Sequence, residues 1–454
     1  MRILQLTAGA AGMYCGTCLR DNSLASEFMR QGHDVTLVPL YTPTLTDEPN
    51  VSQERIFFGG ISVYLEQNWS LFRKTPWLLD RLWDSKFALQ AAAKRSIPVD
   101  PHFLGSMTVS MLEGAHGRLN KEVEKLLEWL ESEQRPDVIN LPYTLLIGLA
   151  EPLKKALKVP ICCTLQGEDL FLEGLTEPYK SRALDLIRKN IPHVDCFLAV
   201  SDYYAEFMSR YLGIPGHKME IARVGVNTDG YRQLARGAAS VSPEATSMKP
   251  EATSMKPEAT VKIGYFARIA PEKGLHVLAE AYRLVRQQEP NCTLEAAGYI
   301  APEHRAYLDG IERQMQQWDL PFHYHGVLDR TQKIAYLESL DILSTPTVYA
   351  DPKGLFVLEA MAAGVPFVQP RHGAFPEMAE RTGGGILVEP EDPESLASGL
   401  LELIRNRELR ADLARNAYSG VREHYTVAQM AQQTVAIFAR RLAGIRTSVT
   451  AVTS

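Results

Sequence analysis

The 454-residue chain contains no uninterrupted apolar run of eighteen residues or more, so no transmembrane helix is expected. Cysteine is scarce, six over this length, which excludes a disulfide scaffold. A surplus of one charge is missing as well. Lys and Arg total 48 against 54 Asp and Glu, a net −6 that argues against nucleic acid or any broad polyphosphate face. Met1–Leu6 reads as a strand, with no basic leader and no long apolar segment ahead of it, so a cytoplasmic location is expected. What is present is ordinary globular material, 45% hydrophobic and 22% charged, enough for two or three domains.

Short apolar runs alternate with amphipathic stretches, twice over. Ile3–Leu6, Val35–Leu40, Val138–Leu141, Val159–Thr164 and Cys196–Val200 read as buried strands, with helical patterns at Leu19–Gln31, Leu119–Gln134 and Thr176–Lys189. A second series runs Val261–Ala267, Cys292–Ala297, Phe322–His325, Ile342–Thr345, Pro366–Gln369 and Gly385–Val388. Its helices are Leu275–Gln287, His304–Gln317, Thr331–Leu340 and Leu355–Ala363. This pattern predicts two doubly wound α/β domains. Between them, Pro243–Lys249 is repeated at once as Pro250–Lys256. Proline in each unit rules out a coiled-coil heptad, and a tandem duplication in an exposed loop is the simpler reading. The aromatic-rich stretch from about 51 to 136 reads as an insertion of loops and helices.

Two constellations carry chemistry. In Gly264–Gly274 a buried strand ends, a polar turn follows and a helix begins after Gly274, so that Arg268 and Lys273 can converge on one diphosphate. Alone, these two cations read equally well as solvated loop residues. The second constellation is Thr347–Pro366. Its helix is apolar on every side except at Glu359, a carboxylate that needs partners if buried, for which two ribose hydroxyls are suited. Gly354 opens that helix, leaving the amides of Gly354, Leu355 and Phe356 for phosphate. Asp351, just ahead, reads either as a sugar contact or as an N-cap-like residue.

With these residues in place, the chain resembles the nucleotide-sugar glycosyltransferases of GT-B fold, and among them the retaining glycosyltransferase family 4. The resemblance implies two Rossmann-like domains facing each other across a cleft. Residues 1–232 would form the acceptor-side domain, 233–260 an exposed linker holding the repeat and 261–425 the donor-binding domain. Residues 426–454 would be a helix returning to the first domain, then a tail. Arg268 and Lys273 match the diphosphate pair, and Asp351 with Glu359 match the paired acids spaced E-x7-E, with Asp in place of the usual first Glu. Lys353 stands where an aromatic residue is common, and Asn227 replaces a commoner aspartate. Cys15-Gly16-Thr17 looks like the glycine loop, with Gly16 approaching donor phosphate and Thr17 near sugar or acceptor. Asn140 and Gln166 stand where sugar-facing histidines are frequent; Gln166 can hydrogen-bond a hydroxyl but cannot act as a base.

By this resemblance the protein is an enzyme that moves a sugar from a nucleoside-diphosphate-sugar donor to an acceptor hydroxyl with retention of configuration. No cofactor and no metal are expected, and the acceptor is a glycan, lipid or small molecule. Other readings stand beside it. A nucleotide-sugar epimerase or a non-transferring sugar-nucleotide binder would use the same scaffold. Cys15-Gly-Thr-Cys18 could be a redox motif. Weak peripheral membrane contact would fall on the basic stretches Leu79–Arg95 and Ala439–Arg446, which read equally as solvated faces.

Overall fold

The computed structural model describes residues 1–9, 16–53, 56–58, 101–232 and 260–452. The tandem repeat, Cys15, Leu79–Arg95 and most of the expected insertion lie outside them. The chain divides into two compact units: Met1–Asn227 with Thr426–Ser454, and Thr228–Tyr425. Residues 228–232 thus belong with the second unit, where Arg232 pairs with Glu338, rather than with the first as the sequence suggested.

In the first unit the order is β1 (Arg2–Thr7), α1 (Gly16–Arg30), β2 (Asp34–Pro39), α2 (Pro101–Leu112), α3 (Asn120–Ser132), β3 (Val138–Leu141), α4 (Ala150–Leu157), β4 (Ile161–Leu165), α5 (Asp169–Glu173), α6 (Tyr179–Asn190), β5 (Cys196–Ala199), α7 (Asp202–Leu212) and β6 (Met219–Ile221). All pairings are parallel, in the order β2-β1-β3-β4-β5-β6. β3, β4 and β5 are buried throughout, as is β1 after Arg2, which is why these strands read as largely apolar runs. β6 was not legible in the sequence, because its Met-Glu-Ile alternation is only three residues long and only half buried.

The second unit runs β7 (Val261–Phe266), α8 (Leu275–Gln288), β8 (Cys292–Ala297), α9 (Arg305–Gln317), β9 (Phe322–Tyr324), α10 (Arg330–Glu338), β10 (Ile342–Leu343), α11 (Leu355–Ala362), β11 (Phe367–Pro370), α12 (Phe375–Thr382), β12 (Gly385–Val388), α13 (Pro393–Arg405) and α14 (Arg407–His424). Its parallel sheet has the order β12-β11-β10-β7-β8-β9. Read from β7, this is the doubly wound 3-2-1-4-5-6 arrangement, whose winding reverses between β7 and β10. A core of Ile263, Leu278, Tyr282, Leu294, Leu308 and Leu400 joins the sheet to its helices.

The last helix, α15 (Val427–Val452), packs on α1 in the first unit. Gly225 lets Thr426 approach, since a Cβ there would lie 2.2 Å from the Thr426 carbonyl oxygen. Arg440 and Arg441 on α15 both pair with Glu220, at 2.8 and 2.7 Å, so much of the basic charge of that stretch is engaged within the protein. Among the described residues no helix is long and apolar enough to cross a membrane.

Candidate active site at the switch point of the second sheet

The loops that leave β7 and β10 meet where the winding reverses, the usual ligand position in an open α/β sheet. Two glycines allow the approach. Gly274, at φ +74°, presses so close to the second loop that a Cβ would sit 1.8 Å from the Pro346 carbonyl oxygen. Gly354, at φ +54°, starts α11 against Met378 and Phe375.

With the loops in contact, Lys273 reaches across 78 positions of sequence. Its Nζ donates to Asp351 Oδ2 at 2.7 Å and to the Tyr349 hydroxyl at 2.6 Å, and lies over the Tyr349 ring. Asp351 is 3% exposed and accepts four bonds: Lys273 and the Tyr349 hydroxyl on Oδ2, the amides of Lys353 and Gly354 on Oδ1, both at 2.9 Å. Burial alone would raise the carboxyl's pKa. The Lys273 charge and the donated bonds outweigh it and hold the group well below the usual carboxylate range.

This arrangement corrects one expectation. The Gly354 amide is not open for phosphate, because Asp351 Oδ1 takes it in the cap-like role. Leu355 and Phe356 remain as first-turn donors with no acceptor among the described residues. Arg268, half exposed, pairs with Glu272 rather than lying free beside Lys273. Each cation of the expected diphosphate pair is therefore held by an acid.

Glu359 is buried in α11, as its surroundings predicted, but its carboxylate is not unmatched within the protein. Lys333 of α10, 4% exposed, donates to Glu359 Oε1 at 2.6 Å. Sequence reasoning missed Lys333. The available signal was its place three and four residues before Tyr336 and Leu337, which puts a lysine on the buried stripe of α10.

The acceptor-side expectations fare differently. Gly16 and Thr17 form the start of α1. Asn140 is fully buried in β3, where its Nδ2 donates to Gln5 Oε1 at 2.9 Å and Thr164 Oγ1 at 3.0 Å. It joins three neighbouring strands and is not presented to a sugar, which corrects its assignment. Gln166 follows β4. Its Nε2 donates to the Pro142 carbonyl at 2.7 Å, while Oε1 is buried without a partner. Glu168, beside it, accepts from the amide and hydroxyl of Thr144. Burial raises the Glu168 pKa, against backbone bonds that lower it. The thiol of Cys18 is fully buried, and no group of three or more His, Cys, Asp or Glu among the described residues is placed to hold a metal.

Comparison with known proteins follows the division of the chain. Residues 109–229 match the model of Glycosyltransferase Family 4, and residues 251–420 match that of Glycosyl transferases group 1. An uncharacterized glycosyltransferase of Methanocaldococcus jannaschii is 30% identical over 38% of this chain and 43% of its own length. An amylovoran biosynthesis glycosyltransferase of Erwinia amylovora is 25% identical over 83% of this chain and 85% of its own. The chain spans about half the length of the first relatives that it matches, 43%, 56% and 54%. Among solved structures, Anabaena HepE in complex with UDP superposes with a TM-score of 0.65 at 17% identity, over 97% of this chain and 100% of that one. Sucrose-phosphate synthase of Thermosynechococcus elongatus gives 0.67 at 16%, over 98% and 99%. The fold is GT-B, two parallel-sheet Rossmann-like domains.

Proposed function

We propose that this chain, built of a Family 4 domain followed by a group 1 domain, is a glycosyltransferase that moves a sugar from a nucleoside-diphosphate donor to an acceptor hydroxyl with retention of configuration. The observation that carries the reading is the Lys273–Asp351 pair at the start of α11, whose Leu355 and Phe356 amides have no acceptor among the described residues, at the switch point of the second sheet. A diphosphate placed there meets Lys273, the first turn of α11 with its dipole, and the guanidinium of Arg268 once that side chain leaves Glu272. Glu359, bonded to Lys333, is the ribose acceptor of this scheme. The solved neighbour in complex with UDP supports a nucleotide donor of this class.

In the reaction the bond between the anomeric carbon and the leaving phosphate oxygen breaks. The acceptor oxygen forms its bond on the same face, and its proton passes to the departing diphosphate. Arg268, Lys273 and the α11 amides stabilise the charge that develops there, a preorganised electrostatic term of the kind that usually dominates catalysis. No side-chain base is required, which accords with Asn140 lying in the sheet interior and Gln166 being unable to titrate. We expect the chemistry to need no metal.

A thermal-shift screen of the full chain against UDP, GDP and ADP tests the reading. A ligand at a hundred times its dissociation constant stabilises by about 2.7 kcal/mol. Lys273→Ala and Glu359→Ala should each abolish the shift, and the product formed from an α-linked donor should itself be α-linked by NMR. Normal shifts from both variants would remove the site. A new sugar nucleotide without any transfer product would make the protein an epimerase.

A further inference from the structure

We infer that the first unit carries an oxyanion site at Arg20, built for an acceptor that bears a carboxylate or phosphoryl group together with free hydroxyls. The inference rests on the transferase reading above. Arg20 and Asp21 lie in α1, and both side chains are 0% exposed. Arg20 Nη1 donates to Asp21 Oδ1 at 3.0 Å, whereas Nε and Nη2 are buried without a partner. Those two nitrogens share one edge of the guanidinium plane, the edge whose parallel N–H groups meet both oxygens of a carboxylate or phosphate.

Three further orphans surround the pair: Asp21 Oδ2, Gln166 Oε1 and Thr7 Oγ1. Thr7 ends β1 and Gln166 follows β4, and both side chains bear on the Asp21 carboxyl and lower its pKa. Buried polar atoms are nearly always bonded, and each exception costs stability. Five within one neighbourhood are too many for a structural salt bridge, which accounts for the Nη1 bond and leaves the open edge unexplained. The orphans also sort by chemistry. The guanidinium edge offers two donors for an oxyanion, and Asp21 Oδ2 and Gln166 Oε1 offer acceptors for hydroxyls.

Position supports the same conclusion. The cluster lies at the carboxyl ends of the first sheet's strands, near the reversal of winding between β1 and β3. Burial pushes the Asp21 carboxyl up to about 6, against the lowering effects of Arg20, Thr7 and Gln166, so it takes up a proton readily beside an incoming anion. The five atoms are closed to solvent, so entry of the ligand has to move at least one wall of the cluster.

The test uses the full chain with glucose 6-phosphate, glucuronate and glucose, followed by calorimetry, with nucleoside diphosphate titrated in parallel. One of the two sugar acids should bind at least about tenfold more tightly than glucose, the scale of one charge-assisted hydrogen bond. Preference for the phosphate ester or for the uronate identifies which oxyanion is used. Arg20→Lys keeps the charge and removes the fork, and should lose that preference while leaving nucleotide binding unchanged. Thr7→Val removes a hydroxyl at constant shape and should weaken the sugar acid a few-fold, and it decides the matter if Arg20→Lys fails to fold. Equal binding of all three sugars, or variants that bind the sugar acid like the parent, would overturn the site. Loss of nucleotide binding alone, with sugar-acid binding intact, would instead count against the transferase reading.

Discussion

Arg20–Asp21 in the first unit and Lys273–Asp351 in the second are both buried near the carboxyl ends of the strands, and the two pairs differ in how fully they are bonded. Asp351 in the second unit accepts four hydrogen bonds, and its carboxyl is held well below the ordinary range. Asp21 in the first unit has one bond to Arg20 and one orphaned oxygen, and its carboxyl is pushed up to about 6. Burial pushes both groups upward. What separates them is the set of donors that replaces water. A satisfied pair stabilises the fold, whereas an unsatisfied pair costs stability.

The largest expected effect breaks the better-bonded pair. Lys273→Met leaves Asp351 buried without its cation and should cost about 3–5 kcal/mol in urea unfolding. Arg20→Met should cost less, about 1–2 kcal/mol, because Asp21 can take up a proton in its place. Equal losses from the two variants would erase the contrast.

Next comes the Lys333–Glu359 pair. Lys333→Met alone should destabilise by about 3 kcal/mol, by stranding a buried carboxylate. Lys333→Met combined with Glu359→Leu should recover most of that loss, while nucleotide binding stays absent. Restored stability without restored binding assigns Glu359 to the ligand rather than to the fold.

Smaller, and opposite in sign for the two acids, are the effects of pH. Asp351 has a folded pKa below its unfolded value, so its contribution is fully present above about pH 4 and is lost as pH falls through the folded value. Asp21 has a folded pKa above its unfolded value, so the folded chain is penalised above pH 6 and relieved as pH falls from 6 toward 4. Asp21→Asn should therefore unfold at higher urea than the parent at pH 8, with the gap closing toward pH 4. Asp351→Asn should unfold at lower urea at pH 7, with the gap closing below pH 4. The same slope in both variants would show that the donor sets are not what distinguishes the sites.

The smallest effect is expected from deleting Pro243–Lys256. Halving the length of a connection changes closure entropy by about 0.6 kcal/mol, so neither the unfolding midpoint nor the nucleotide shift should move appreciably.

Much of the candidate site could be read along the chain because its signals are local. A strand, a turn with Arg268 and Lys273, a glycine at a helix start and a lone acid in an apolar helix each occupy a short window. The partners could not be read this way. Lys333 lies 26 residues before Glu359 in a different helix, and its only local mark is a lysine on a buried stripe. Asn140 resembled a strand-end sugar contact, yet register places it opposite Gln5 and Cys162, in the middle of a polar ladder. Arg20 and Asp21 carry no local mark of burial in the sequence, and only the packing of α1 encloses them.

Hydropathy alternation and turn chemistry are properties of neighbouring residues, so the amino-acid order alone determined two parallel α/β units and the turns that line the second one. Which charges are paired, which stay orphaned and which face a ligand depends on groups tens of residues apart meeting in a medium without water. There each missing partner carries an energy that no local pattern records, and only the folded arrangement decided the outcome.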